Sequence, residues 1–183
     1  MIEGRAAMTE VTERPVGTRY FAASATVPNN PLLPVVILRG AFAPAPSDEI
    51  IARMAANGWG GAWAWTVFDY HHYHPDAHEA LAVAAGEARL QLGGPEGTEL
   101  AVTAGDCLVL PAGTGHCRLS QSRDFRICGA YPPGQELFIT RQANAQAGAD
   151  APVIAQVPLP QTDPIHGADG PLVRIWGRAL SPG

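Results

Sequence analysis

Four of the six histidines in this chain, His71, His72, His74 and His78, fall within eight consecutive residues. Imidazoles at such density are what a divalent transition metal needs from a protein. In an extended strand residues i and i+2 project to the same side, so His72 and His74 can chelate one ion while His71 and Tyr73 face away. Pro75 and Asp76 then turn the chain, and the next apolar run opens with two adjacent candidates, His78 and Glu79, which must point in opposite directions. If Glu79 faces a closed interior, Leu81 and Val83 accompany it. If His78 does, its companions are Ala80, Ala82 and Ala84, which fill a barrel poorly. Strand parity therefore selects Glu79 as ligand and leaves His78, like His71, as a neighbour able to orient a ligand or meet a substrate.

Other residue types nearby invite weaker readings. Tyr70 shares the parity of His72 and is a candidate proton donor, although a tyrosine inside a barrel more commonly packs. Trp59, Trp63 and Trp65 could stack on a ring-bearing ligand, but aromatics at alternate strand positions usually fill a core or an interface, and they are read as structural. Cys107, Cys117 and Cys128 are odd in number, form no C-x-x-C pair and lie in apolar segments, which predicts buried free thiols in a reducing cytoplasm. Gly93-Gly94-Pro95-Glu96-Gly97 lacks the lysine and following helix of a phosphate-binding loop and reads as a hairpin turn.

The elements that must position these residues read as strands. Glycine (20) and proline (17) recur between short apolar runs, the punctuation of an all-β chain. Such runs occur at 34–38, 62–74, 79–84, 88–92, 100–102, 107–110, 116–119, 125–131 and 137–140, a spacing that suits a barrel or sandwich. One helix interrupts them. Ser47 is its predicted N-cap, Asp48 and Glu49 suit the positive end of its dipole, Ile50, Ile51 and Met54 share a face, and Gly58 can end it. A weaker helix is expected within 141–157, and a final strand near Leu172–Trp176.

At 183 residues the chain is the size of one domain. Residues 1–8 read as a disordered or vector-derived leader, Ile2-Glu3-Gly4-Arg5 resembling a protease-cleavage linker, and 9–183 as a single domain with its barrel core at about 60–140. A net charge of -5 with no basic cluster argues against nucleic acid, and no apolar run is long enough to cross a bilayer. These features predict a cytoplasmic protein.

The spacing also matches two ordered motifs. His72-x-His74 is followed after four residues by Glu79 and after six more by Gly86. Gly105, Pro111, Gly113 and His116 then fit G-x5-P-x-G-x2-H, with eighteen residues between the nearest glycines. The pair resembles the cupin signature. Asn57–Gly61, the HYHPDAHEALAV segment, Gly129–Pro132, Thr162–Pro164 and Gly167–Pro171 are in turn similar to the uncharacterised bacterial YjlB-like cupins. Thr66 and Ser120 replace a glycine and an asparagine of the motifs, and neither position is a ligand. The resemblance implies a single cupin jelly-roll barrel with one or two short flanking helices, and one metal ion on His72, His74, Glu79 and His116. Arg118 has the inward parity of His116 and joins Tyr70 and His78 as a candidate catalytic residue, while Arg89 and Gln91 are possible substrate contacts.

Three imidazoles and one carboxylate suit Fe, Mn, Ni, Co or Zn, and on an octahedral ion they leave two positions open. The expected function is metal-dependent catalysis on a small oxygen-bearing molecule, of dioxygenase, decarboxylase or isomerase type. The alternatives are a non-catalytic small-ligand or metal-binding module, or a sugar-phosphate isomerase, which the acidic balance disfavours. The expected partners are a small molecule and a second copy of the chain, as homodimers are common among cupins.

Overall fold

The computed structural model describes residues 16–181, so the reading of residues 1–8 lies outside the described residues. The fold is all-β, with eleven strands in two antiparallel sheets among the described residues. In chain order these are β1 (Val16–Arg19), β2 (Val35–Leu38), β3 (Gly60–Trp65), β4 (His72–Tyr73), β5 (Glu79–Ala85), β6 (Glu87–Leu92), β7 (Thr98–Thr103), β8 (Cys107–Leu110), β9 (His116–Gln121), β10 (Arg126–Tyr131) and β11 (Arg141–Gln142). The larger sheet runs β1-β2-β8-β5-β10-β3 and the smaller β11-β4-β9-β6-β7. This jelly roll is flanked by α1 (Ser47–Ala56), a single turn α2 (Ala151–Ile154) and α3 (Pro171–Ala179). Among the described residues no helix is long and apolar enough to cross a membrane.

Two apolar clusters lie on opposite sides of the larger sheet, and β5 contributes to both. Leu81 and Val83 join Val35, Ile37, Leu90, Leu108 and Ile127 in the interior between the sheets. Ala80, Ala82 and Ala84 lie in the outer cluster with Ile50 and Met54 of α1 and Leu172 and Trp176 of α3. Alternate residues of a strand face opposite ways, so the three alanines leave room for helices to lie close over the sheet while the larger side chains fill the barrel. Smaller-sheet strands show the simpler pattern. In β6, Ala88, Leu90 and Leu92 are buried and alternate with Glu87, Arg89 and Gln91, which are exposed or partly so. The glycine-rich turn closes a β6–β7 hairpin as the sequence predicts, Gly97 N–H donating to the Gly94 carbonyl at 2.9 Å.

Three local expectations need correction. The final strand near Leu172–Trp176 is instead the helix α3. Pro171 stands in its first turn, Leu172 and Trp176 are one turn apart on the buried face, and the buried Asp163 carboxylate accepts the Leu172 N–H at 3.2 Å. Ser47 is the first residue of α1 rather than its cap, that place falling to Pro46 with no side-chain cap bond. The helix expected within 141–157 shrinks to a 3-10 turn at Ala147–Asp150 followed by α2. Gly58 does sit at φ +85° just past α1, where its N–H meets the Ala55 carbonyl. The three cysteines are free and buried.

Candidate metal centre

The histidine pair and Glu79 come from opposite sheets. β4 pairs with β9 and β11, whereas β5 pairs with β8 and β10, so Pro75–His78 is a corner between sheets rather than a hairpin turn. Proline supports that corner because it cannot donate to a ladder. His72 lies directly across from His116 in the β4–β9 register, with ring centroids 4.0 Å apart. His74 follows one residue beyond β4, its carbonyl accepting the Gly113 N–H at 2.8 Å. From the facing sheet the first residue of β5 presents its carboxylate: Glu79 Oε2 is 3.4 Å from His74 Nε2 and 3.2 Å from His116 Nε2. All four side chains are buried. Ligand atoms of His72, His74 and His116 lie within 4.8 Å of one another.

Hydrogen bonding decides which nitrogen of each ring faces the centre. Nδ1 of His72 contacts the Tyr70 carbonyl at 3.0 Å, that of His74 the Ile139 carbonyl at 2.9 Å, and that of His116 the Thr114 carbonyl at 3.0 Å. A carbonyl only accepts, so each Nδ1 carries a proton and each ring turns its Nε2 inward. Glu79 Oε1 receives the Tyr131 hydroxyl at 2.7 Å, while Oε2 is buried with no hydrogen-bond donor. The buried carboxylate thus stands beside two members of a three-imidazole cluster, an arrangement that favours positive charge among them.

A proton supplies that charge only in part. Burial would lower the His74 pKa, but the Glu79 carboxylate beside it raises the net value above the ordinary imidazole range. Burial likewise would raise the Glu79 pKa, yet the adjacent His74 and His116 hold it well below the usual carboxylate range. His72 is driven down to about 3, first by burial and then by the charge of His116. A proton on His74 therefore answers Glu79 and leaves the lone pair of His72 unanswered. The chemistry of three clustered imidazoles fits a divalent transition ion, and Glu79 stands beside two of them as a further donor.

A cavity of about 240 Å³ opens against these residues. Its walls include Trp63, Trp65, Phe68, Tyr131 and Phe138. The sequence reading of the tryptophans as packing residues holds for Trp59, buried in the outer cluster, and for Trp63, which packs against the inner cluster while lining the cavity, whereas Trp65 is half-exposed on the cavity wall. Trp63 donates its indole N–H to the Tyr131 hydroxyl at 2.9 Å, completing a relay to Glu79. Gly129 makes room for that ring, since a Cβ there would lie 2.2 Å from it. Burial, then the Glu79 charge, pushes the Tyr131 phenol pKa up, so it stays a proton-bearing donor. Phe138 stacks on Tyr131 with centroids 3.9 Å apart and meets the His74 ring edge-on at 4.7 Å.

Tyr131 and Phe138 line the cavity beside Glu79 and His74, and the sequence reading missed both. Phe138 lies in an apolar run expected to be a strand, which instead passes irregularly over the site, pinned by Asp76 Oδ1 accepting the Ile139 N–H at 2.9 Å. Tyr131 was within reach of parity, lying two residues from Gly129 on β10.

The three candidate catalytic residues stand away from the cavity wall. Tyr70 is 38% exposed and stacks on Phe68. Residues 66–71 form no regular strand, so the parity of His72 does not extend back to it. Arg118 is spent at the rim on Thr66 Oγ1 at 3.3 Å and Gln121 Oε1 at 2.6 Å. His78 is buried on the other face of the sheet corner. Its ring lies 4.7 Å from Trp176, its Nδ1 accepts the Ala112 N–H at 2.9 Å, and burial lowers its pKa to about 3. Arg89 pairs with Glu99 on the outer face of the smaller sheet.

Comparison with known proteins agrees with the motifs. The cupin domain matches residues 66–122. The chain is 37% identical over 165 residues to the uncharacterized protein YjlB of Bacillus subtilis (strain 168), covering 90% of this chain and 98% of that one. Among solved structures, an uncharacterized Klebsiella pneumoniae protein with a double-stranded β-helix domain is 15% identical, with a TM-score of 0.37 over 75% of this chain and 90% of its own. The acireductone dioxygenase of Bacillus anthracis, whose structure has cadmium in its active centre, is 19% identical with a TM-score of 0.36. That match covers 48% of this chain and 60% of the dioxygenase. With its jelly roll, its two ordered motifs and this extent of identity, the chain belongs to the cupins, in the family of Bacillus subtilis YjlB.

Proposed function

We propose that this cupin is a metal-dependent enzyme, holding one divalent transition ion on His72, His74, His116 and Glu79 and acting on a small oxygen-bearing molecule in the adjoining cavity. The observation that carries this reading is the convergence of three buried imidazoles, their ligand atoms within 4.8 Å of one another, with the buried Glu79 carboxylate beside two of them. When bound, the ion would supply Lewis-acid polarisation of a substrate oxygen. The chain's own residues do the rest. Backbone carbonyls fix the three rings, Tyr131 keeps Glu79 oriented, and the aromatic wall borders the space in which a substrate would sit.

The test is metal analysis of protein purified without chelator, followed by oxygen uptake and product analysis with diketones, catechols and carboxylates. About one ion per chain with turnover supports an enzyme. One ion with no turnover across the panel points instead to a binding module.

Two further expectations concern the ligand sphere. Tyr131→Phe removes the donor to Glu79 Oε1 and should lower metal affinity by roughly ten- to a hundredfold, measured by competition with a chromogenic chelator. Glu79→Gln should weaken metal binding far more than His78→Ala, which is expected to retain the ion and lose stability, because the His78 ring faces Trp176. The reverse order would overturn the choice made by strand parity.

A pH dependence follows as well. The proton that His74 holds in the metal-free protein, above the ordinary imidazole pKa of 6.5, must leave when a metal binds. Affinity should therefore rise with pH from the acid side up to that raised pKa, by about tenfold per pH unit for one displaced proton, and acidification should release the ion. Calorimetry in buffers of different ionisation enthalpy counts the proton. Affinity flat from pH 5 to 8 would contradict the linkage.

A further inference from the structure

We propose that the ligand of this cavity is a singly ionised aromatic chelator, a planar ring bearing two adjacent oxygens as in a catechol, and that dicarboxylates and phosphates are rejected. This specificity rests on the metal reading above for the two oxygens and on the walls for the ring.

The first ground is what the walls lack. Thirteen residues line the cavity, and neither lysine nor arginine is among them. Carboxylates and phosphates are ordinarily held by guanidinium or ammonium groups, and the guanidinium of Arg118, which reaches the lining residue Thr66, is engaged with it and with Gln121.

The second ground is that three polar donors of the lining are already committed. Trp63 Nε1 donates to Tyr131, Tyr131 donates to Glu79, and the Thr66 hydroxyl donates to Gln121 Oε1 at 2.6 Å. Beside the imidazoles this leaves the Trp65 indole N–H and the Thr140 hydroxyl for the outer oxygens of a polyanion, and oxygens buried without partners cost roughly 1–3 kcal/mol each.

The third ground is the presence of ring faces. Trp63, Trp65, Phe68, Tyr131 and Phe138 line one continuous cavity. Its volume of about 240 Å³ exceeds the roughly 150 Å³ that accommodates a benzene ring, leaving space for two substituent oxygens. Charge balance completes the case. A divalent ion with Glu79 and three neutral imidazoles carries a net charge of one, which a monoanion cancels, whereas a dianion would leave uncompensated charge in a buried apolar site.

The experiment uses the full chain loaded with Zn(II), which has no redox chemistry, so that binding is read without turnover. Catechol, oxalate and inorganic phosphate are titrated by calorimetry and by quenching of tryptophan fluorescence. Catechol is expected to bind at least about tenfold more tightly than oxalate or phosphate. Phe138→Ala should weaken catechol by about five- to tenfold with zinc content unchanged, the loss of one aromatic contact. Trp65→Ala, at a half-exposed position, supplies the same comparison should Phe138→Ala disturb zinc uptake. Oxalate or phosphate binding as tightly as catechol, or unchanged catechol affinity in both variants, overturns the proposal. Failure to take up zinc would instead strike the metal reading. The ranking of the three probes on the zinc-free protein then decides the cavity's preference, catechol first supporting it and an anion first refuting it.

Discussion

His116→Ala and His74→Ala are each expected to reduce bound metal from about one ion per chain to under about a tenth, with the fold retained. Each change deletes a donor whose ring is already oriented by a carbonyl on its far side, so no other group can swing in to replace it. His116 matters doubly because it stands across from His72 in the β4–β9 register and its Nε2 is 3.2 Å from Glu79. Its removal leaves two imidazoles and a carboxylate with a gap between them. Losing a ligand should exceed the ten- to hundredfold loss typical of the groups that support ligands. Inductively coupled plasma mass spectrometry gives the stoichiometry, and circular dichroism confirms that both variants fold. Full occupancy in either variant would remove that residue from the centre.

The second large effect lies on the far side of the sheet. Trp176→Ala should destabilise the protein by about 3–5 kcal/mol, the usual range for emptying a large buried aromatic site. For a domain of this size that corresponds to a fall in Tm of roughly 6–20 °C. Trp176 is almost wholly inaccessible, packs with Met54, Ala82 and Leu172 in the outer cluster, and donates its indole N–H to the Pro34 carbonyl at 2.9 Å. It also covers the His78 ring, so the corner carrying Pro75 to Glu79 loses its backing. Trp176→Phe restores most of the apolar area but not the N–H, and should recover all but about 1 kcal/mol of the loss. Thermal unfolding followed by calorimetry measures both. A drop below about 1 kcal/mol for the alanine variant would mean that α3 is dispensable to the barrel.

The parts of this molecule that were legible in the sequence are those where local pattern and tertiary role coincide. Glu79 could be separated from His78 because the two faces of β5 differ in size: Leu81 and Val83 on one, three alanines on the other. His72 and His74 were legible from i, i+2 spacing, although His74 falls just past the strand. His116, some forty residues away, has no local feature that joins it to them, and only the second motif marks it. The helix α3 was misread because Leu172, Val173, Ile175 and Trp176 form the kind of branched and aromatic run that also makes strands. The discriminating signals were Pro171 at its start and the i, i+4 pair of Leu172 and Trp176.

Cavity walls are harder to read than ligands. An interior-facing aromatic looks the same in sequence whether it fills a core or borders a space, and Trp63 does both. Phe138 reaches His74 through a segment without regular structure, and the bonds that place it, from Asp76 and His74 to the backbone of Ile139, join residues more than sixty positions apart. No periodicity encodes such a contact. Tyr70 and Arg118 fail for the complementary reason, since parity holds only where a regular strand persists and says nothing of a competing partner such as Gln121.

Anomalous diffraction at the absorption edge of a loaded ion, on crystals of the full chain grown with Zn(II), tests the central claim most directly. The account predicts one strong peak bonded to Nε2 of His72, His74 and His116 at about 2.0–2.1 Å and to a Glu79 oxygen at about 2.0–2.2 Å. A peak bound through His78 or a cysteine instead, or no peak among the three imidazoles at full zinc loading, would contradict it.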